Sequence, residues 1–365
     1  MKLKKFKEFL ECFVFTFFIG VTYANECKIN TNLKVGIIEN NYINYKHYLY
    51  YTLGDYSSKN LTEFELETVN NNNISNFDII FGEYHELKKL SLNNINYPNE
   101  IEEFYLKNKV EISNNIFPLD LDTFILLSKG KIMVADFEEL VKLRSPVKYT
   151  LGFSLKSKKH FIDFFTYNAE DEMINFNAIK TESILGLMSQ SFKNLNKNIL
   201  NVNFDDSYNS YAASENIFTL FSDGILLYKN IDYETFQLYP KSKYDWDKNK
   251  GMFIDDNYIK PTSFFGFSAY LQNSNHSGFL CYLLDENVRN YSFKNFNIQL
   301  SPLSIEEISK DTKIDENYKK ILLEKNKNII NPDYKSNLEY FDLIKGIIYG
   351  HDKYINFVEG NSINN

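Results

Sequence analysis

Residues 119–130, LDLDTFILLSKG, constrain the fold more than any other stretch, because they alternate apolar and acidic positions and then become continuously apolar. Side chains along a strand point to opposite faces in turn, so an alternating segment has one wet face and an unbroken apolar segment has none. A strand that changes from one pattern to the other suits a chain leaving one domain for another. The flanking sequence fits that division. Residues 33–39 (LKVGIIE) read as a short buried strand, 45–53 as a helix, 61–69 (LTEFELETV) as an alternating strand, 77–82 (FDIIFG) as a third strand and 86–92 as a helix. This order, with short connections, predicts an α/β domain whose sheet is largely parallel.

A second α/β region follows. It has a helix at 137–144 stopped by Pro146, a strand at 149–154, a helix at 160–167 and an amphipathic helix at 181–195. Residues 217–220 and 224–228 flank a turn at Ser222 and Asp223, and 241–251 read as a polar connection. Residues 264–271 (FFGFSAYL) form one clear strand, 277–284 an apolar helix, and 305–358 helices separated by Asn331 and Pro332.

The first 24 residues join a basic start (Lys2, Lys4, Lys5, Lys7) to an apolar run at 12–23, with Thr22 and Ala24 flanking a cut before Asn25. That is the anatomy of a secretory signal peptide. The run is shorter than the roughly 20 residues a spanning helix needs, so a cleaved leader is expected and not a membrane anchor. Removal leaves 341 residues (365 minus 24), room for two domains. The leader carries four lysines against Glu8 and Glu11, so its loss moves the formal charge from −8 to about −10. A chain this acidic, with no concentrated basic face, is unsuited to nucleic acid. Cys12 leaves with the leader. Cys27 and Cys281 then either form one disulfide in an oxidising compartment or stand as two independent thiols. Glu26 occupies the position where a lipid anchor on Cys27 would need a small residue, and no Cys/His spacing suits zinc.

Five sequence segments, in order, resemble the extracytoplasmic solute-binding proteins of ABC importers, in the group that includes maltodextrin-, glycerol-phosphate- and polyamine-binding proteins. LKVGIIE is similar to that group's first strand, and NFDIIFGEYHEL to a strand whose following loop touches ligand. FPLDLDTFILLSKG and then DFEELVKL resemble its interdomain strand and the helix after it. ENIFTLFSDGILLYKNID resembles a strand leading to a ligand-facing loop, and FFGFSAYLQNSNHSGFLCYLL the return strand, polar turn and apolar helix. The resemblance implies a two-lobed α/β fold of type II, each lobe a mixed sheet flanked by helices, joined by hinge strands. It implies lobe 1 over 25–121 with 268–312 returning to it. Lobe 2 would then span 122–267, with C-terminal helices at 313–365 packing on it. It also implies a periplasmic, monomeric receptor that captures a small sugar, polyol or amine-containing solute for a membrane permease, with no cofactor and no chemistry of its own.

Such a site draws on loops beyond the carboxyl ends of strands. Candidates there are Tyr42 after the first strand, Glu83 and Tyr84 after FDIIFG, and Asp122 on the interdomain strand, with Asp120 on the same strand face. Tyr45 reads better as helix-start packing. In the second lobe the candidates are Ser154, with Lys156 beside it, Asp223 with Ser222, and Trp246, the single indole, as either a stacking platform or a core residue. Phe267 and Ser268 lie on the return strand, as does Tyr270. An Asp-Gly turn at Asp223 needs no ligand to explain it. Where sugar binders often carry tryptophan, the chain reads Gly82-Glu83-Tyr84 and Gly224-Ile225-Leu226, without the flat indole face that sugars use. The acidic lean of the set favours amines or many hydroxyls.

A secreted hydrolase and a surface-interaction protein are the rival classes. GxSxG, HExxH and Gly-rich phosphate loops are absent from the sequence, and His85-Glu86 lacks a second histidine for a metal pair. Adjacent acidic pairs such as Asp205-Asp206 and Asp255-Asp256 read as solvated loops before they read as glycosidase carboxylates. Long amphipathic helices disfavour the all-β patterning common in adhesion domains.

Overall fold

The computed structural model describes residues 27–29, 32–38, 45–70, 72–90, 95–108, 110, 112, 114–130, 132–136, 139–140, 149–151, 158–169, 186, 208–209, 211–213, 217–221, 233–241, 244–247, 252–255, 262–296, 316, 319–321, 325, 328–333 and 337. In chain order the elements are β1 (Asn32–Ile37), α1 (Tyr45–Asn60), β2 (Glu63–Thr68), β3 (Ile79–Glu83), α2 (Tyr84–Leu87), α3 (Asn99–Lys107), β4 (Ile116–Pro118) and β5 (Leu121–Ser128). Then come β6 (Tyr149–Leu151), α4 (Lys158–Ala169), β7 (Ile217–Phe221), β8 (Thr235–Leu238), β9 (Tyr244–Asp247) and β10 (Met252–Asp255). The described chain closes with β11 (Ser263–Phe265), β12 (Phe267–Leu271), α5 (Ser277–Leu284) and α6 (Glu286–Phe296). None of the described helices is long and apolar enough to cross a membrane.

The chain divides into two units. The first holds Met1–Asn40, Asn44–Phe117 and Ser268–Arg289, and the second holds Asn41–Ile43, Pro118–Phe267 and Asn290–Asn365. In the first, five strands run in the order β2-β1-β3-β12-β4. Strand β1 is parallel to β2 and to β3, with Lys34 opposite Glu65 and Val35 opposite Ile79. The sheet is largely parallel, as read from the sequence, and mixed, as the resemblance implies, because β12 enters from the opposite end. Its antiparallel course is visible in hydrogen bonds from Gln272 N to Asp78 O (2.8 Å) and from Leu271 N to Asn115 O (3.2 Å). A strand returning from elsewhere in the chain needs no crossover helix, so it is free to run against its neighbours. Edge strand β2, EFELET, keeps Glu63, Glu65 and Glu67 on one face, and charge on an open edge discourages pairing with another chain.

Apolar residues of β1 and β3 (Val35, Ile79, Ile80, Phe81) are wholly buried, and Leu49 and Leu53 of α1 and Phe279 and Leu280 of α5 are buried as well. Phe279 makes ring contacts with Tyr56 at 5.2 Å and Phe81 at 6.0 Å. Helix α5 has no side-chain cap of its own; instead, Gly278 N donates to Lys28 O at 2.9 Å, and Lys28 N donates to Ser277 Oγ at 3.3 Å. A first-turn N–H of a helix needs such a partner, and here the N-terminal segment supplies it. Gly278 permits the approach, because a methyl group there would fall well inside van der Waals contact with Lys28 O. Cys27 and Cys281 form a disulfide across a sequence separation of 254, which settles the two open alternatives and pins this segment to α5.

The second unit is built on β5, where every residue is buried. Strand β7 pairs with it antiparallel from Phe124 to Ser128, β8 pairs with Ile125 to Ser128, and β11 covers Leu121 to Thr123. With neighbours on both edges and helix α4 packed on it, the strand has no wet face, as its continuous apolar run requires. Phe124 centres an aromatic cluster with Tyr167 (5.2 Å), Phe164 (5.3 Å), Phe264 (6.1 Å) and Tyr239 (6.5 Å). Buried polar tips find partners there. Tyr167 donates its hydroxyl to Tyr239 O at 2.8 Å, and Lys241 donates to Thr262 Oγ1 at 2.6 Å over the Tyr167 ring.

Several sequence expectations shift. Helix α1 runs on to Asn60, while α2 is a single short turn of the expected 86–92 helix. The expected polar connection at 241–251 contains β9, which forms a hairpin with β10 and sets Trp246 opposite Phe253. YDWD and MFID mix aspartates with apolar residues, and it was the aspartates that read as polar loop. The strand expected at 264–271 is broken at Gly266 into β11, which pairs with β5, and β12. The helix at 99–107 and strand β8 are additions to the sequence reading. Apart from isolated positions and the segments 319–321 and 328–333, the readings at 137–144, 181–195, 224–228 and 305–358 lie outside the described residues.

Candidate functional site

In the first unit, β1 and β3 are parallel and β4 and β12 both run antiparallel to each other, so the carboxyl ends of β3 and β4 share an edge with the start of β12. That is the edge at which the chain leaves at Phe117 and returns at Ser268. Glu83 is the last residue of β3 and therefore stands there, with 15% of its side chain exposed. Tyr84 opens α2 and is buried at 2%, its ring 5.5 Å from Lys88 Nζ. Ser268 is wholly buried on β12, and Tyr45 and Tyr270 are buried as well.

His85 belongs with this group and was passed over in the sequence, where it was weighed only as half of a metal pair. Its Nδ1 lies 3.3 Å from Glu83 Oε2 and its Nε2 lies 2.5 Å from Glu86 Oε1. The hydrogen bond from His85 holds the Glu86 carboxyl down at about 2 against burial, and Lys89, 2.7 Å away, adds to the effect. The signal was available: a histidine two residues after one carboxylate and one before another, at a strand end.

In the second unit, Asp122 lies on β5 opposite Phe264 and is 6% exposed, and Asp120 is 3% exposed. Asp120 Oδ1 accepts from Leu121 N at 2.9 Å, and Asp120 O accepts from Gly266 N at 3.0 Å. A methyl group on Gly266 would lie 2.5 Å from Asp122 Oδ2 and 3.6 Å from Asp120 Cβ, so the missing side chain makes the space that the Asp122 carboxylate fills. Phe267 is wholly buried, and its carbonyl accepts from Leu119 N (2.8 Å) and Asp120 N (3.1 Å). These contacts bring Asp120, Asp122, Gly266 and Phe267 together. Gly266 was missed because FFGFSAYL reads as one unbroken strand; a glycine inside a strand pattern is the available clue. Trp246 is placed on β9 by its backbone pairing. Tyr42, Ser154, Lys156, Ser222 and Asp223 lie outside the described residues. Among the described residues no group of three or more His, Cys, Asp or Glu is arranged to hold a metal ion.

No family model and no curated protein matches the sequence. Solved structures do match the fold. A cyclic alpha-maltosyl-1,6-maltose binding protein from Arthrobacter globiformis superposes with a TM-score of 0.62 at 12% identity, covering 90% of this chain and 96% of its own. The spermidine/putrescine ABC transporter substrate-binding protein PotD from Streptococcus pneumoniae gives 0.58 at 13% identity, covering 87% of this chain and 100% of its own. Both are named as binding proteins. The chain therefore has the two-lobed α/β fold of extracytoplasmic solute-binding proteins.

Proposed function

We propose that this chain is an exported receptor that closes on a small polar solute and delivers it to the permease of an ABC importer, acting as a monomer in the periplasm after removal of residues 1–24. The observation that carries the reading is the position of Glu83 at the strand-end edge where the chain passes out of the first unit. Ligand groups in open α/β sheets stand at that kind of edge. Asp122 is the counterpart in the second unit, next to the crossover segment. Tyr42, Tyr84, Ser154, Asp223, Trp246, Phe267 and Ser268 complete the proposed ligand set, and lobe boundaries at 121/122 and 267/268 follow from the same reading. A solute touching both lobes favours the closed state by its differential affinity for it, and closure is the state a permease reads.

The solute is a sugar, polyol or amine. Acidic groups accept hydrogen bonds from hydroxyl and ammonium donors alike, and ammonium donors gain charge assistance. Thermal-shift screening against sugars, polyols and polyamines, with product analysis of every hit, tests the proposal. A bound solute raises the melting temperature by mass action and is recovered unchanged. Consumption of the solute supports a hydrolase instead, and no response from the whole panel leaves the interaction protein. Replacing Glu83 or Asp122 by Ala weakens binding of the identified solute by about tenfold or more while shifting the melting temperature only a few degrees. Wild-type affinity in both variants removes them from the site.

A further inference from the structure

Residues 27–29 meet α5 from the far end of the chain, and few contacts hold them there. Cys27 is joined to Cys281, in the middle of α5. Lys28 O accepts from Gly278 N at 2.9 Å, Lys28 N donates to Ser277 Oγ at 3.3 Å, and Lys28 Nζ donates to Asn275 Oδ1 at 3.2 Å. Among the described residues these are the segment's polar partners. Apolar burial adds little, since Lys28 is exposed and Ile29 is 56% exposed. A hydrogen bond exchanged against water has a small net value, while fixing the backbone of each residue costs at least as much. Three such bonds do not hold three residues by themselves, so the covalent bond keeps the segment seated. Cys27 and Cys281 are both only half-buried, which leaves the pair within reach of a thiolate from solvent.

We propose that residues 27–29 are a redox-operated strap over the first turn of α5, closed while Cys27 and Cys281 are joined and lifted when they are reduced. The operating step is thiol–disulfide exchange with a dithiol reductant. One thiolate of the reductant attacks a sulfur of the pair and forms a mixed disulfide, and the other cysteine leaves as a thiolate that takes up a proton. The reductant's second thiolate then displaces the remaining cysteine. Two electrons and two protons have passed to the pair, and the reductant has become a disulfide. Lifting the strap takes Lys28 O away from the Gly278 N–H and opens the space that this glycine leaves for it. Ser277, wholly buried while the strap is closed, becomes wet. The second unit contains no cysteine, so the change is confined to the first. An oxidising compartment closes the strap and a reducing one leaves it open.

Trypsin cleavage after Lys28, read by N-terminal sequencing as a product beginning at Ile29, tests the proposal on the folded protein and needs no solute. The oxidised protein resists this cut. Protein reduced with dithiothreitol is cut about tenfold faster or more, because proteolysis follows the population of the open form. Reoxidation restores resistance. Cys27→Ser, without reductant, is cut at the reduced rate, and Cys281→Ser serves the same purpose if Cys27→Ser does not fold. Cleavage after Lys129, in the second unit, is the control and keeps its wild-type rate throughout. Equal cutting after Lys28 in oxidised and reduced protein overturns the proposal, whether both resist or both are cut. Acceleration after Lys28 and Lys129 together also overturns it, because the bond would then hold the whole molecule and not the strap.

Discussion

Glu83 and Asp122 each stand close to the points where the chain passes between its units, yet the two units hold them by opposite means. Glu83 ends a strand with its Oε2 3.3 Å from His85 Nδ1 but not hydrogen-bonded to it, while His85 Nε2 bonds to Glu86. Asp122 lies inside a strand with no exposed residue and is seated over a glycine. The first sets a carboxylate beside a buried imidazole, and the second depends on the absence of one methyl group. The surrounding units differ in the same way. The first unit borrows stability from a distant segment, stapled by Cys27–Cys281 and capped through Lys28. The second relies on aromatic packing around Phe124.

Breaking the second unit's core carries the largest effect. Phe124→Ala removes the centre of its aromatic cluster and costs about 3–5 kcal/mol in urea unfolding; a change below 1 kcal/mol places the core elsewhere. Reduction of Cys27–Cys281, or Cys281→Ser, costs about 2–5 kcal/mol. Amide exchange should quicken first in α5, whose cap is lost, and uniform quickening across both units contradicts the division. Gly266→Ala forces Asp122 from its place and costs about 1–3 kcal/mol, with loss of solute binding. Unchanged stability and binding would mean the carboxylate is not held by that gap.

Acid sensitivity sharpens the contrast at a smaller scale. A carboxyl lowered by folding contributes stability that is complete above its usual value of 4.5 and is lost as pH falls toward the folded value of about 2. That loss, confined to the range between them, is traced to Glu86 if His85→Asn abolishes it. Asp55, lowered by Lys59 first and Tyr282 second, adds to the acid loss in wild type and remains in the variant. Smallest of all, Lys34→Ala removes an exposed contact with Glu65 and changes stability by no more than about 0.5 kcal/mol.

Much of the fold could be read from periodicity. The apolar runs of β1, β3 and β5 and the apolar helix α5 are local patterns, and the structure puts them where their burial requires. Strand direction is not local: nothing in FFGFSAYL says that β12 runs against β3. The break at Gly266 depends on two different partner strands, and β9 hides because its aspartates imitate a loop. The site divides similarly. Glu83 was marked by its place at a strand end and Asp122 by its place on the interdomain strand, whereas the contacts of His85 and Gly266 with a neighbour's carboxylate are visible only in three dimensions. Pairing Cys27 with Cys281 likewise needed three-dimensional proximity that a separation of 254 residues conceals.

Solution X-ray scattering of the mature protein, with and without a saturating solute found by the screen, tests the receptor account most directly. Closure on the solute predicts a smaller radius of gyration in the bound state, restored when the solute is dialysed away. A bound solute that leaves the scattering curve unchanged contradicts it.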